Sequence, residues 1–316
     1  ITMYLVGTYP KMQHEVDSNK YTPAHLAAVS GRVDVLSYLI DNFTDPWCRT
    51  AEGETLLHIA CLYDQLEITK YLVKSYPQML HEVDSSNTTP AHHAAVKGSI
   101  AVLIFLTNHG ADPWCRTLQE ETLLHRACIN GQLEMTTYLV ETYPKMLHEV
   151  DYSKSTPAHN AAFNGSVDVL SYLIDRGTDP WCRSFKGETL LHHACNNGQL
   201  QMTRYLVETY PKMIYMVDNS KNTPAHHAAH NGNVAVLRYL IPRGSNPWRR
   251  TAKQETLLHI ACLSGQLEMI KYLVETFPKM LLEVDKSNRT PAHQASKSGN
   301  VAVLKYLIHH GADTWS

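Results

Sequence analysis

Thr156-Pro157-Ala158-His159-Asn160-Ala161-Ala162-Phe163-Asn164-Gly165 returns as Thr223-Pro224-Ala225-His226-His227-Ala228-Ala229-His230-Asn231-Gly232, every position advanced by the same amount (223 − 156 = 67). Thr-Pro-Ala-His opens at Thr22, Thr89, Thr156, Thr223 and Thr290, always 67 apart. Thr-Leu-Leu-His opens at Thr55, Thr122, Thr189 and Thr256 with the same spacing. The two series interleave at nearly equal steps (55 − 22 = 33; 89 − 55 = 34), so the chain is a tandem of short units arranged in pairs. The pairs that start at Thr156 and Thr223 agree at 42 of 67 positions, which sets chance periodicity aside.

Each unit reads as helix, tight turn, helix, loop. In the unit starting at Thr22, the threonine hydroxyl suits an N-cap. Pro23 sits at the first helical position, where its missing N–H costs nothing. Ala24, Ala27 and Ala28 let a neighbouring helix come close, and Gly31 supplies a left-handed residue that ends the helix. Val33, Leu36, Leu39 and Ile40 form the apolar stripe of a second helix, which leaves through Asp45-Pro46. The other type of unit follows suit with Ala60, Cys61, Leu66, Ile68, Tyr71, Leu72 and Val73, and leaves through Tyr76-Pro77. One hairpin cannot bury its own apolar face, whereas a stack of them buries all. The fold expected is all-α, a single repeat array over residues 1–316.

The period and the Thr-Pro-Ala-His-x-Ala signature resemble the ankyrin-repeat family over essentially the whole chain. The resemblance implies a curved α-solenoid of helix-turn-helix pairs with β-hairpin-like tips. Full repeats are expected at 22–54, 55–88, 89–121, 122–155, 156–188, 189–222, 223–255 and 256–289, with a partial repeat at 1–21 and a truncated one at 290–316. This chain departs from the family signature by alanine for leucine after the proline in five units and by leucine for proline in four. Asp64 stands where Gly131, Gly198 and Gly265 stand, a position expected to need positive φ. Pro242 replaces the residue type of Asp175 and should trim its helix. Thr2–Met12 matches a second helix without its first. Tyr306, Leu307 and Ile308 keep an internal apolar face up to Trp315-Ser316. These ends read as an excerpt from a longer array, since stacks of this kind need polar caps.

Composition excludes several classes. The 316 residues carry a net charge of −2, 44% apolar and 18% charged residues: enough for a core, and without the basic excess of a nucleic-acid binder. The longest clear apolar run, Ile100–Leu106, is far too short for a membrane helix, and the opening Ile-Thr-Met-Tyr-Leu-Val does not read as a signal peptide.

The conspicuous polar residues recur with the period. Nine of nineteen histidines (His25, His58, His92, His125, His159, His192, His226, His259, His293) are the fourth residue of the signature and should tie adjacent units together. His226, His227 and His230 suggest a metal site, but with His226 committed to the lattice and no cysteine pair nearby, no metal or cofactor is expected. His81-Glu82 and His148-Glu149 lack the second histidine of a zinc protease motif, since Ser85 and Tyr152 stand there. Cys61, Cys128, Cys195 and Cys262 sit at a small packing position. Cys48, Cys115 and Cys182 follow Pro-Trp in the exit loop, each at the same interval before the next helix cysteine; a disulfide is conceivable, yet Arg249 replaces the fourth loop cysteine. Reduced thiols fit an intracellular, cytoplasmic protein. Trp47, Trp114, Trp181, Trp248 and Trp315 are expected to cover seams between units. No singular catalytic grouping breaks the period, so no enzyme is expected.

Function is therefore sought where units differ. The family resemblance places the changing tips and first-helix positions on a concave binding face. The candidate residues are Tyr21, Tyr63, Lys97, Leu118, Gln119, Asn130, Tyr152, Phe163, Phe185, Lys186, His230 and Arg289. Tyr21, Leu118, Tyr152 and Phe185 place apolar side chains on tips that should be wet, as interface anchors do. The reading is a protein or peptide partner, with no nucleic acid and no membrane insertion. The alternative is an elastic spacer within a larger cytoskeletal, channel or effector protein.

Overall fold

The computed structural model describes residues 16–42 and 44–312. The helix expected over Thr2–Met12 and the tryptophan Trp315 lie outside them. Contacts divide the chain into two compact units, residues 1–152 and 153–316. Among the described residues there are eighteen α-helices and no strand.

In the first unit the helices are α1 Pro23–Val29, α2 Val33–Asn42, α3 Leu56–Leu62, α4 Leu66–Ser75, α5 Pro90–Lys97, α6 Ile100–Asn108, α7 Leu123–Ile129 and α8 Leu133–Thr142. In the second they are α9 Pro157–Asn164, α10 Val167–Asp175, α11 Leu190–Asn196, α12 Leu200–Thr209, α13 Pro224–His230, α14 Val234–Leu240, α15 Leu257–Ser264, α16 Leu267–Thr276, α17 Pro291–Lys297 and α18 Val301–His309. The odd-numbered helices stack on one another within each unit, and each packs against the even-numbered helix that follows it. The all-helical repeat architecture expected from the period is the one observed.

Every first helix starts one residue after the signature threonine, because that threonine and the histidine three positions on close a capping box. At Thr55 the backbone N–H donates to His58 Nδ1 at 3.2 Å, and Oγ1 lies 2.9 Å from the same nitrogen. The orphan amide of the helix start is thus satisfied by an imidazole where a glutamate usually serves. The small face of these helices disappears into the stack: Ala60, Cys61, Ala127, Cys128, Ala194 and Cys195 are fully buried. Behind them the second layer contributes Leu36, Leu39, Ile68, Leu72, Leu206 and Leu273, also fully buried. Each such leucine supplies about 1.5–3 kcal/mol by leaving water.

Two local expectations are met. The turn after each first helix needs a left-handed residue, and Asp64 adopts φ 58° where glycines stand in sister units. At Gly98 a second demand applies, because Gln132 of the next repeat reaches over it to donate to Val96 O at 3.0 Å. A Cβ on Gly98 would meet that amide oxygen at 2.5 Å. Pro242 shortens α14 to seven residues against nine for α10, the remainder becoming a 3-10 turn over Ile241–Arg243.

Candidate interaction surface

Successive hairpin tips are joined by main-chain hydrogen bonds. In the first unit Ala51 N donates to Asn19 O (2.8 Å), Ser85 N to Glu52 O (2.9 Å), Leu118 N to Ser86 O (2.9 Å) and Tyr152 N to Gln119 O (2.9 Å). In the second, Phe185 N donates to Ser153 O (2.7 Å), Asn219 N to Lys186 O (2.9 Å), Ala252 N to Ser220 O (2.8 Å) and Lys286 N to Lys253 O (2.9 Å). The candidate tip residues are therefore fixed through their backbones while their side chains project outward.

Those side chains are largely exposed. Tyr152 is 79% exposed, Phe185 69% and Leu118 62%. Gln119, Lys186, Asn130, Lys97, Tyr63 and His230 are also exposed. Lys154 Nζ lies 5.8 Å from the Phe185 ring centroid, a cation–π contact at the tip. Three candidates are less available. Tyr21 is half-buried with its ring 5.5 Å from that of His25, and its hydroxyl is pushed up to about 12 by burial and then by Glu54. Phe163 is half-buried and lends its carbonyl to Asn197 Nδ2 at 2.9 Å. Arg289 is held by Asp285, with Nε at 2.9 Å and a second nitrogen at 2.8 Å.

The lattice residues do what the period implies. His58 Nε2 donates to Thr88 O at 2.9 Å, His192 Nε2 to Asn222 O at 3.1 Å, and His259 Nε2 to Arg289 O at 2.9 Å. Each such bond spans 30 positions of the chain and pins one repeat to the next. The tryptophans cover seams: Trp47 meets Tyr76 edge-on at 6.3 Å, Trp114 meets Tyr143 at 6.1 Å, Trp181 meets Tyr210 at 5.8 Å and Trp248 meets Phe277 at 6.1 Å. All seven cysteines carry free thiols, so the conceivable loop-to-helix bridge does not form.

Sequence reasoning missed three constellations, two of them built on arginine and cysteine. Arg49, Arg116 and Arg250 each bridge a carbonyl of their own tip (Gly53, Glu120, Gln254) to a carbonyl of the following repeat (Val83, Val150, Val284) and a glutamate there: Glu82, Glu149 and Glu283 respectively. Arg183 keeps the carbonyls, but Met216 stands where the acid would be. The loop cysteines meet the capping histidines, with Cys115 Sγ 3.6 Å from His92 Nδ1. Despite that geometry no thiolate–imidazolium pair arises. Burial pushes the thiol up to about 11 and the imidazole down to about 4, so both are neutral at pH 7 and the sulfur is no nucleophile.

The three histidines His226, His227 and His230 do not converge. His226 caps α13 through Thr223, His227 faces Asp218, and His230 meets Ser264 Oγ at 2.6 Å. Among the described residues one set of metal-ligating groups does come together: Glu188, Asp218 and His227. No described helix is long and apolar enough to cross a membrane.

Comparison with known proteins agrees with this geometry. A model of ankyrin repeats in three copies matches residues 39–117, 109–184, 177–251 and 244–316, and a single ankyrin-repeat model matches 19–46. Alpha-latrocrustotoxin-Lt1a of Latrodectus tredecimguttatus is 33% identical over 112 residues, 35% of this chain and 8% of the toxin. Alpha-latroinsectotoxin-Lt1a of the same species is 24% identical over 305 residues, 95% of this chain and 20% of the toxin. NF-kappa-B inhibitor alpha of Rattus norvegicus is 30% identical over 112 residues, 34% of this chain and 36% of the inhibitor. The chain thus spans a minor share of each relative. The capping histidines, the shared seams and the family match over almost the whole length lead to one assignment: the chain belongs to the ankyrin-repeat family.

Proposed function

We propose that this chain binds a partner protein or peptide through its hairpin tips and the exposed ends of its first helices, and performs no catalysis. Ankyrin repeats are a protein–protein interaction module, and a relative such as NF-kappa-B inhibitor alpha carries an inhibitory interaction in its name. The observation that carries the reading is the exposure of Leu118, Tyr152 and Phe185 on tips whose backbones are already fixed. Large side chains held out to water on backbone that needs no further ordering are what a binding interface is built from. Gln119, Lys186, Lys97 and Asn130 add polar groups around them. The buried, protonated thiols and neutral capping imidazoles support the absence of catalysis.

The test is a pull-down with the chain as bait, followed by affinity measurement on the captured partner. Replacing Tyr152 and Phe185 together by alanine should weaken binding at least about 100-fold, two anchors at about 1.4 kcal/mol each or more. Circular dichroism should be unchanged, because neither side chain is buried. Undiminished binding by a folded double variant would overturn the assignment of the surface.

A further inference from the structure

Four positions recur with the 67-residue period of the sequence: an acid before the second-type threonine, the acid 30 positions on, and two first-helix positions. The sets read Glu54, Asp84, His93 and Ile59; Glu121, Asp151, Asn160 and Arg126; Glu188, Asp218, His227 and His193; Glu255, Asp285, Gln294 and Ile260. In the second set Arg126 meets Glu121 at 3.3 Å, and in the fourth Arg289 holds Asp285 at 2.8 Å. In the first, His93 sits between its acids and turns one nitrogen to each, Nδ1 to Glu54 at 4.0 Å and Nε2 to Asp84 at 3.3 Å. The third set differs from all of these. Both carboxylates face the same nitrogen, with His227 Nε2 at 3.2 Å from Asp218 Oδ2 and 3.9 Å from Glu188 Oε1.

Three ligand atoms within 4.8 Å of one another therefore converge on one point. A tetrahedral zinc ion with ligands near 2.1 Å places them roughly 3.4 Å apart, against 3.2 and 3.9 Å from His227 Nε2 to the two carboxylates. The surroundings are already organised. Asp218 Oδ1 accepts from the backbone amides of Ser220 and Asn222, both at 2.8 Å, while Oδ2 accepts from Asn222 Nδ2 at 2.9 Å and turns its second lone pair to the point of convergence. Glu188 Oε2 accepts from Ser184 Oγ at 3.2 Å, which leaves Oε1. An independent observation adds to this. His193 Nε2 is sealed from solvent, finds no hydrogen-bond partner, and points at Glu188 Oε2 from 3.7 Å. A cavity of about 540 Å³ opens onto Glu188, Asp218 and His227 and gives an ion a path in.

We propose that Glu188, Asp218 and His227 form a binding site for a divalent transition-metal ion of the zinc class, with His193 orienting the Glu188 carboxylate. His227 enters as its Nδ1–H tautomer and gives its Nε2 lone pair to the ion, and the fourth position faces the cavity. Two carboxylates and an imidazole suit zinc better than calcium or magnesium, which want oxygen alone. The ion would join the tip at residues 184–188 to the tip at 218–222.

The test uses metal-stripped, reduced full chain titrated with Zn²⁺ by calorimetry, and with Co²⁺ by visible absorption. The controls are already written into the chain, since Gln294 occupies the place of His227 and Ile260 that of His193. His227→Gln and His193→Ile are therefore accommodated by the lattice, and Glu188→Gln keeps the shape. The expected result is one equivalent of Zn²⁺, bound at least about ten-fold more weakly by His227→Gln and Glu188→Gln and more weakly by His193→Ile, with His93→Gln unchanged. The Co²⁺ spectrum should lack a thiolate charge-transfer band. No saturable binding, binding that His227→Gln and Glu188→Gln leave intact, or a thiolate band would each overturn the site.

Discussion

At the scale of the residue, the tips hold a tension that side-chain chemistry alone does not reveal. Lys20, Asn87, Glu120, Lys154, Lys221, Gln254 and Asn288 all adopt φ between 55° and 63°, the left-handed region, where Gly53 and Gly187 stand in sister units. A residue with a Cβ gives up about 1–2 kcal/mol there, against about 0.4–1 kcal/mol that glycine loses through its freer unfolded chain. Gln254→Gly should therefore raise stability by about 0.5–1 kcal/mol in urea denaturation. Gly187→Ala should do the reverse. Its new Cβ would lie 2.4 Å from Asn219 Oδ1 at φ 77°, and a loss of about 1–2 kcal/mol is expected in the same assay. These left-handed tips are not legible in the sequence, because glycine marks only two of them and lysine, glutamine and glutamate mark most of the others. Asp64 is legible because glycine fills its place in three sister units.

At the scale of the element, a first helix such as α3 depends on one imidazole for two tasks. His58 satisfies the Thr55 amide with Nδ1 and the Thr88 carbonyl with Nε2. His58→Ala removes a cap and leaves a buried carbonyl without its donor. The expected loss is about 2–4 kcal/mol, read as a lower urea midpoint with the secondary structure retained. The sequence shows that such a histidine exists in every unit, since the four-residue signature recurs nine times. The arginine clamp is hidden for the opposite reason. Its partners include main-chain carbonyls, Gly53 O in its own tip and Val83 O a full repeat further on for Arg49, and carbonyls leave no trace in a sequence. The Glu188, Asp218 and His227 set is equally hidden. Its members are drawn from successive repeats, and only the stacking of those repeats brings them within reach.

At the scale of the whole molecule, the buried histidines make stability depend on pH. His25, His58, His92 and His259 are all held below the ordinary imidazole value, in each case chiefly by burial; His58 falls to about 3 and His92 to about 4. Unfolded, each titrates near 6.5. Between the two values the unfolded chain takes up protons that the folded chain refuses. Stability is therefore full above pH about 6.5 and drains as the pH falls, at about 1.4 kcal/mol per pH unit for a group such as His58. The urea midpoint should be flat from pH 8 to 7 and fall steeply from pH 6 to 5. A midpoint that holds steady to pH 5 would show that the imidazoles are not buried neutral in solution.

The tip ladder separates two things that most binding surfaces entangle. Leu118, Tyr152 and Phe185 are held in place by their amides, so which side chain each carries is immaterial to folding. The recognition proposed for these tips can therefore diverge from copy to copy while the scaffold stands still. A duplicated pair of repeats is a blank slot, free to acquire a new specificity without first being made stable again.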